Sequence, residues 1–143
     1  MAHRTADPLQ PKRVIRHLER MSTRSNLPSN RLLSALPLSN FKRIAPHLET
    51  ITCEREQILI EANSPLDHIF FPDSGVVSMM ALYSDGSVIE LATIGREGFA
   101  GVRAVFGAKK SAARFFVQIP GSAAKMSRAA FTRAPSRCRP SEP

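Results

Sequence analysis

The chain has no tryptophan, one tyrosine and only two cysteines. Cys53 and Cys138 are too few for a disulfide framework or a zinc knuckle, and both read as ordinary reduced thiols. Histidine is also scarce. His3, His17 and His47 precede the strand-like region, which leaves His68 alone within it. A metal-dependent double-stranded roll enzyme of the cupin type needs several histidines and a carboxylate converging on one ion, so it ranks last among the readings. No Gly-x-Ser-x-Gly elbow occurs, and neither cysteine has a histidine and asparagine arranged to activate it. Glu90 and Glu97 fall on a strand and in a loop, with nothing to make them an acid–base pair. The expectation is a protein that is not an enzyme and has no metal. No apolar run reaches the roughly 18 residues of a membrane span, and the N-terminus lacks a secretory apolar core. No membrane contact and a cytoplasmic location are expected.

What is present is a rhythm. With 143 residues and 43% hydrophobic content, the chain has room for one domain with a core. From residue 51 the apolar period approaches two, and strands are expected near 50–54, 57–61, 67–71, 76–83, 87–94, 113–119 and 123–126. Turn residues separate them at Asn63-Ser64-Pro65, at Pro72-Asp73-Ser74-Gly75 and at Ser84-Asp85-Gly86-Ser87. Asp-Gly suits a two-residue type I′ hairpin. That turn would set Tyr83 opposite Val88, Leu82 opposite Ile89, Ala81 opposite Glu90 and Met80 opposite Leu91. Met80, Leu82, Ile89 and Leu91 would then share a buried face, with Tyr83, Ala81 and Glu90 on the other. Ahead of the strands, Asn30 is placed to cap a helix over RLLSAL and Ser39 one over NFKRIAPHL, which Pro46 tightens or ends. The fold class expected is mainly β: an antiparallel double-stranded β-roll, jelly-roll-like, with short N-terminal helices.

The formal net charge of +8 is unevenly placed. Residues 1–31 carry seven basic and two acidic groups, and residues 122–143 carry five and one; the 90 between carry eight and nine. Three segments follow: a basic, partly flexible extension over 1–29, a near-neutral roll over 30–126, and a flexible basic Pro/Arg-rich tail over 127–143. Within the extension, Val14, Ile15, Leu18 and Met21 recur at helical spacing after Pro11. Basic tails of this kind suit non-specific nucleic-acid contact through phosphates.

Residues 67–101, DHIFFPDSGVVSMMALYSDGSVIELATIGREGFAG, resemble the sensory roll of the cyclic-AMP receptor and fumarate–nitrate regulator (Crp/Fnr) superfamily, and the resemblance extends over residues 30–126. It implies a small-molecule effector bound in a cassette between two strands. In that cassette glycines admit the phosphate, a Gly-Glu pair reaches the ribose hydroxyl, and an Arg-Ser/Thr-Ala triplet neutralises the cyclic phosphate through a guanidinium fork. The candidate cassette residues are Gly95, Arg96, Glu97, Gly98 and Gly101, then Lys110, Ser111 and Ala112. The match is incomplete: Val102 stands at the ribose carboxylate position and Lys110 at the arginine position. No cofactor is expected, and the segment reads as a structural loop in preference to a cyclic-nucleotide site. An oxygen-sensing iron–sulfur cluster, which some relatives carry, needs four thiolates where two exist. Fewer than 20 residues follow Met126, and Pro135, Pro140 and Pro143 are among them. A C-terminally truncated member is therefore expected, without the dimerisation helix and helix-turn-helix and hence without sequence-specific DNA binding of its own. The alternative is a free-standing ligand-binding or protein-interaction module.

Overall fold

A computed structural model describes residues 28–133. Cys138, the helix expected after Pro11 and most of both basic tails lie outside them. Two short helices lead in, α1 (Arg31–Ser34) and α2 (Leu38–Ile44), and a 3₁₀ turn over Ala45–His47 carries Pro46 as expected. The strands are β1 (Glu49–Cys53), β2 (Ile58–Ile60), β3 (His68–Pro72), β4 (Val76–Leu82), β5 (Val88–Ile94), β6 (Arg114–Ile119) and β7 (Gly121–Ser127). They form two antiparallel sheets ordered β1-β7-β3 and β2-β6-β4-β5. This is the double-sheeted β-roll expected from the turn spacing.

The core lies between the sheets. Ile69, Phe70 and Phe71 of β3 meet Val77 and Phe115 from the other sheet, and Leu33 and Ile44 close one side. Phe71 stacks on Phe99 with ring centroids 5.4 Å apart. Both faces of β3 are covered, so its run of apolar residues is continuous rather than alternating. A smaller cluster joins Cys53, Val117 and Ala123, with Ile51 and Leu59 packed against both clusters.

Two expectations at the ends of the roll are corrected. Helix α2 begins at Leu38 with Pro37 at the cap position and no side-chain cap bond, so Ser39 lies inside its first turn. Chain after Met126 belongs to the fold as far as Arg133. Ser127 caps α3 (Arg128–Arg133) by accepting from the Ala130 N–H at 3.1 Å, and Ala130 is buried. The remainder of the tail expected to be flexible lies outside the described residues.

The hairpin register also differs by one residue. The Tyr83 N–H donates to the Ser87 carbonyl at 2.9 Å, and Gly86, at φ +86°, donates to Tyr83 at 3.0 Å. The loop thus has three residues with glycine in the left-handed conformation, not two. The Asp85 carboxylate accepts from the Ser87 N–H and hydroxyl at 2.9 and 2.6 Å, which stabilises this form and lowers the Asp85 pKa. Leu82 therefore faces Val88, Ala81 faces Ile89 and Met80 faces Glu90, and a bulge follows at Leu91. The side chains expected to share a buried face are open, Leu82, Ile89 and Leu91 being 39, 50 and 52% exposed, and the shifted register puts Leu82 and Ile89 on opposite faces. The cause is overhang. Strand β6 pairs with β4 only as far as Met80, and β5 is an edge strand beyond it.

Candidate functional site

The expected cassette residues fall into two groups. The first, residues 95–98, forms a tight turn where β5 ends, and the Gly98 N–H donates to the Gly95 carbonyl at 3.1 Å. Glu97 folds back on this turn and accepts from the Gly95 N–H at 3.1 Å. The turn is held to the N-terminal helix by the Arg31 N–H, which donates to the Arg96 carbonyl at 2.7 Å.

Asn30 binds that junction together. Fully buried, its amide donates to the Pro72 carbonyl at 2.8 Å and the Gly98 carbonyl at 2.9 Å. Its side-chain oxygen accepts from the Leu32 and Leu33 N–H groups, and its own backbone N–H donates to Asp73 Oδ1 at 3.0 Å. The sequence shows Asn30 only as a helix cap; its two long-range carbonyl partners leave no mark in the pattern. Gly95, Arg96 and Glu97 line an open cleft of about 420 Å³ with Asp73, Ser74 and Thr93. With two carboxylates against one guanidinium, that cleft does not favour a phosphate.

The second group lies in the segment from Gly101 to Ala113. Ala100 exchanges two backbone hydrogen bonds with Phe70, at 2.8 and 3.1 Å, which fixes where the segment leaves β3. Gly101 takes φ +96°, and a Cβ there would sit 3.1 Å from the His68 carbonyl, so glycine suits both the turn and the close approach. A 3₁₀ turn over Val102–Ala104 follows, with Ala104 buried. Val102 and Val105 point outward, and Phe106 is 83% exposed. The chain is then clipped to the turn before β3. Leu66 N–H donates to the Lys109 carbonyl at 2.8 Å, Asn63 N–H to the Ser111 carbonyl at 2.7 Å, and Ser111 N–H to the Ser64 carbonyl at 3.0 Å. Arg128 adds a bond from α3 to the Ala108 carbonyl at 3.1 Å.

Of the polar side chains in this second group, Ser111 is engaged within the protein, whereas the three basic ones stand exposed. Ser111 is buried, and its hydroxyl donates to the Ala113 carbonyl at 2.6 Å. Arg114 Nε lies 2.8 Å from Glu61 Oε1. That contact, with the Ala62 N–H, holds the Glu61 carboxyl below the ordinary glutamate range. Arg103, Lys109 and Lys110 are exposed, and residues 101–113 contain no carboxylate. Arg103 is one of the arginines, with Arg96 and Arg114, that the sequence offers as another source of positive charge, whereas Lys109 was missed; its signal was the lack of acid across those 13 residues. The two groups sit at opposite ends of β3, one against Pro72 and the other ahead of His68, so they do not converge on one ligand.

His68 is half-buried with its ring 6.4 Å from that of Phe70. Among the described residues no three His, Cys, Asp or Glu side chains gather as a metal would require, and no helix is long and apolar enough to cross a membrane.

Comparison with known proteins places this geometry. No curated protein matches the chain. Solved structures do, at identities where the likeness is one of fold. One is CLP, the c-di-GMP-responsive global regulator of Xanthomonas campestris, with TM-score 0.60, 16% identity, and coverage of 68% of this chain and 47% of that one. This chain thus spans about half the length of that regulator. The sensor domain of the transcriptional regulator DNR from Pseudomonas aeruginosa gives TM-score 0.64 and 15% identity, over 84% of this chain and 78% of that one. The regulatory subunit of a cAMP-independent protein kinase A from Trypanosoma brucei gives TM-score 0.66 and 17% identity, over 87% and 44%. The model of the cyclic nucleotide-binding domain matches residues 50–137, from β1 through α3 and beyond. With both sheets and the intervening cassette region inside that match, the chain belongs to the cyclic nucleotide-binding domain family.

Proposed function

We propose that this chain is the sensory domain of a Crp/Fnr-type transcription regulator whose cassette region does not hold a cyclic nucleotide. The observation that carries this reading is the state of residues 101–113. The position that the family resemblance assigns to the ribose carboxylate is an exposed valine, Val102, and the serine assigned to the phosphate is buried with its hydroxyl on Ala113. Lys110 supplies a point charge where the resemblance calls for a guanidinium fork. Glu97 does not compensate, because its carboxylate closes its own turn at Gly95.

The role assigned is regulatory and not catalytic, with a small-molecule effector of another kind. Thermal unfolding with 1 mM cyclic AMP or cyclic GMP tests it. A ligand at 100 times its dissociation constant adds about 2.7 kcal/mol of stability, enough to raise the melting temperature by roughly 10 °C or more in a domain of this size. The expected shift is below about 1 °C for both nucleotides. A rise of several degrees with either one overturns the reading.

A further inference from the structure

The segment from Gly101 to Lys110 carries the most exposed large hydrophobic side chain among the described residues, Phe106 at 83%, and Val102 and Val105 are exposed beside it. Arg103, Lys109 and Lys110 stand exposed within the same ten residues, which hold no acid. Arg128 reaches over from α3 to the Ala108 carbonyl and adds a fourth positive charge. The turn clipped to this segment brings Glu61, already paired with Arg114, and Asp67. An apolar patch rimmed by charged side chains marks a contact surface. The backbone narrows the partner. The N–H groups of Ala104, Val105, Phe106, Gly107 and Ala108 all donate to carbonyls of residues 101–104, at 3.0–3.2 Å. This turn therefore satisfies its own donors and holds Phe106 at its tip. Gly107 follows at φ +84°, with open space where a Cβ would stand.

We propose that residues 101–110 seat the roll on a bilayer surface rich in anionic phospholipid, with Phe106 entering between the headgroups. An apolar side chain sinks into a bilayer only where the backbone beside it is already hydrogen-bonded, as it is here. The basic side chains then meet lipid phosphates, each adding about fivefold to partitioning. A nucleic-acid backbone fits less well. Loops that cradle phosphate point free N–H groups at it, and those of residues 104–108 are already taken. Stacking on a base would use Phe106 but leave Val102 and Val105 without a partner. The expectation of no membrane contact rests on the want of a spanning segment, and a peripheral seat needs none. The outward side chains carry this contact whether or not a nucleotide binds, so it stands or falls apart from the proposed function.

The chain has no tryptophan, so F106W places a single indole at the tip. Its emission is read in the full chain at about 0.15 M salt, with vesicles of phosphatidylcholine alone and with roughly 30% phosphatidylglycerol added. A clear blue shift is expected with the anionic vesicles and little or none with the neutral ones. Attachment through the basic tails alone would leave the indole in water, so the shift reports this site. Adding R103Q/K109Q to F106W should weaken the binding by roughly 30-fold. Both positions are exposed, and an unchanged melting temperature shows that the roll is intact. An indole that stays in water with anionic vesicles overturns the proposal, whether or not the chain sediments with them. So does binding of the R103Q/K109Q chain within about twofold of its parent. A shift with single-stranded DNA that matches the one with vesicles also overturns it, in favour of a nucleic-acid partner.

Discussion

Replacing Asn30 with aspartate separates two roles that the native residue combines. Aspartate keeps the side-chain oxygen that accepts from the Leu32 and Leu33 N–H groups, and as a helix cap it equals asparagine. It cannot donate to the carbonyls of Pro72 and Gly98, 2.8 and 2.9 Å away, and at neutral pH it sets a carboxylate against both. An unpaired buried polar group costs about 1–3 kcal/mol, so two of them imply a loss of about 3 kcal/mol, before the penalty for a fully buried charge. Asn30→Ala loses the cap as well, worth about 1 kcal/mol, for a total of about 4 kcal/mol. Urea unfolding of the three chains at pH 7 measures both differences. A domain of about 100 residues loses roughly 4–8 °C of melting temperature per kcal/mol, so Asn30→Asp should melt at least 12 °C lower. If Asn30→Asp unfolds within about 0.5 kcal/mol of the parent, Asn30 is a cap only, and the junction of α1, β3 and the 95–98 turn needs another explanation.

Gly101→Ala should destabilise by on the order of 1–2 kcal/mol, from the positive φ and the nearby His68 carbonyl; chemical denaturation showing no loss refutes it. For Glu61 the sign is fixed by the lowered carboxyl pKa. The stabilisation from Arg114 is present above the unfolded-state pKa and disappears as pH falls through the lower folded-state value. The melting-temperature gap between the parent and Glu61→Gln should therefore shrink on acidification. It should be small throughout, because both side chains of the pair are partly open to solvent, at 35 and 43%. Cys53 is buried, and burial together with Asp73 pushes its thiol pKa up. In a Cys138→Ser chain it should resist alkylation at neutral pH until the roll unfolds; rapid labelling of the native chain contradicts that.

Strand placement was legible because turn residues mark the ends. Asn63-Ser64-Pro65, Pro72 to Gly75 and Asp85-Gly86 each sit where a strand stops or starts. The hairpin register was not legible, since Asp-Gly fits both a two-residue turn and a three-residue loop with Gly86 left-handed. The Asp85 bonds to Ser87 go with the second form, and one extra loop residue moves every cross-strand partner by one. Periodicity identifies an apolar face without showing whether another layer covers it, which is why Leu82 and Ile89 were expected inside. In the site, the identity of each cassette residue was readable, but their separation was not. Residues 95–98 and 110–112 are near in sequence, and the length of β3 lies between their partners.

The proposed function requires that Val102, Lys110 and an internally bonded Ser111 fail to make a cyclic-nucleotide site. Calorimetric titration of the full chain with cyclic AMP at physiological salt measures this directly. No saturable heat is predicted up to about 1 mM ligand, which bounds the binding free energy at about −4 kcal/mol. A one-to-one isotherm with a dissociation constant of about 1 μM, near −8 kcal/mol, would contradict it.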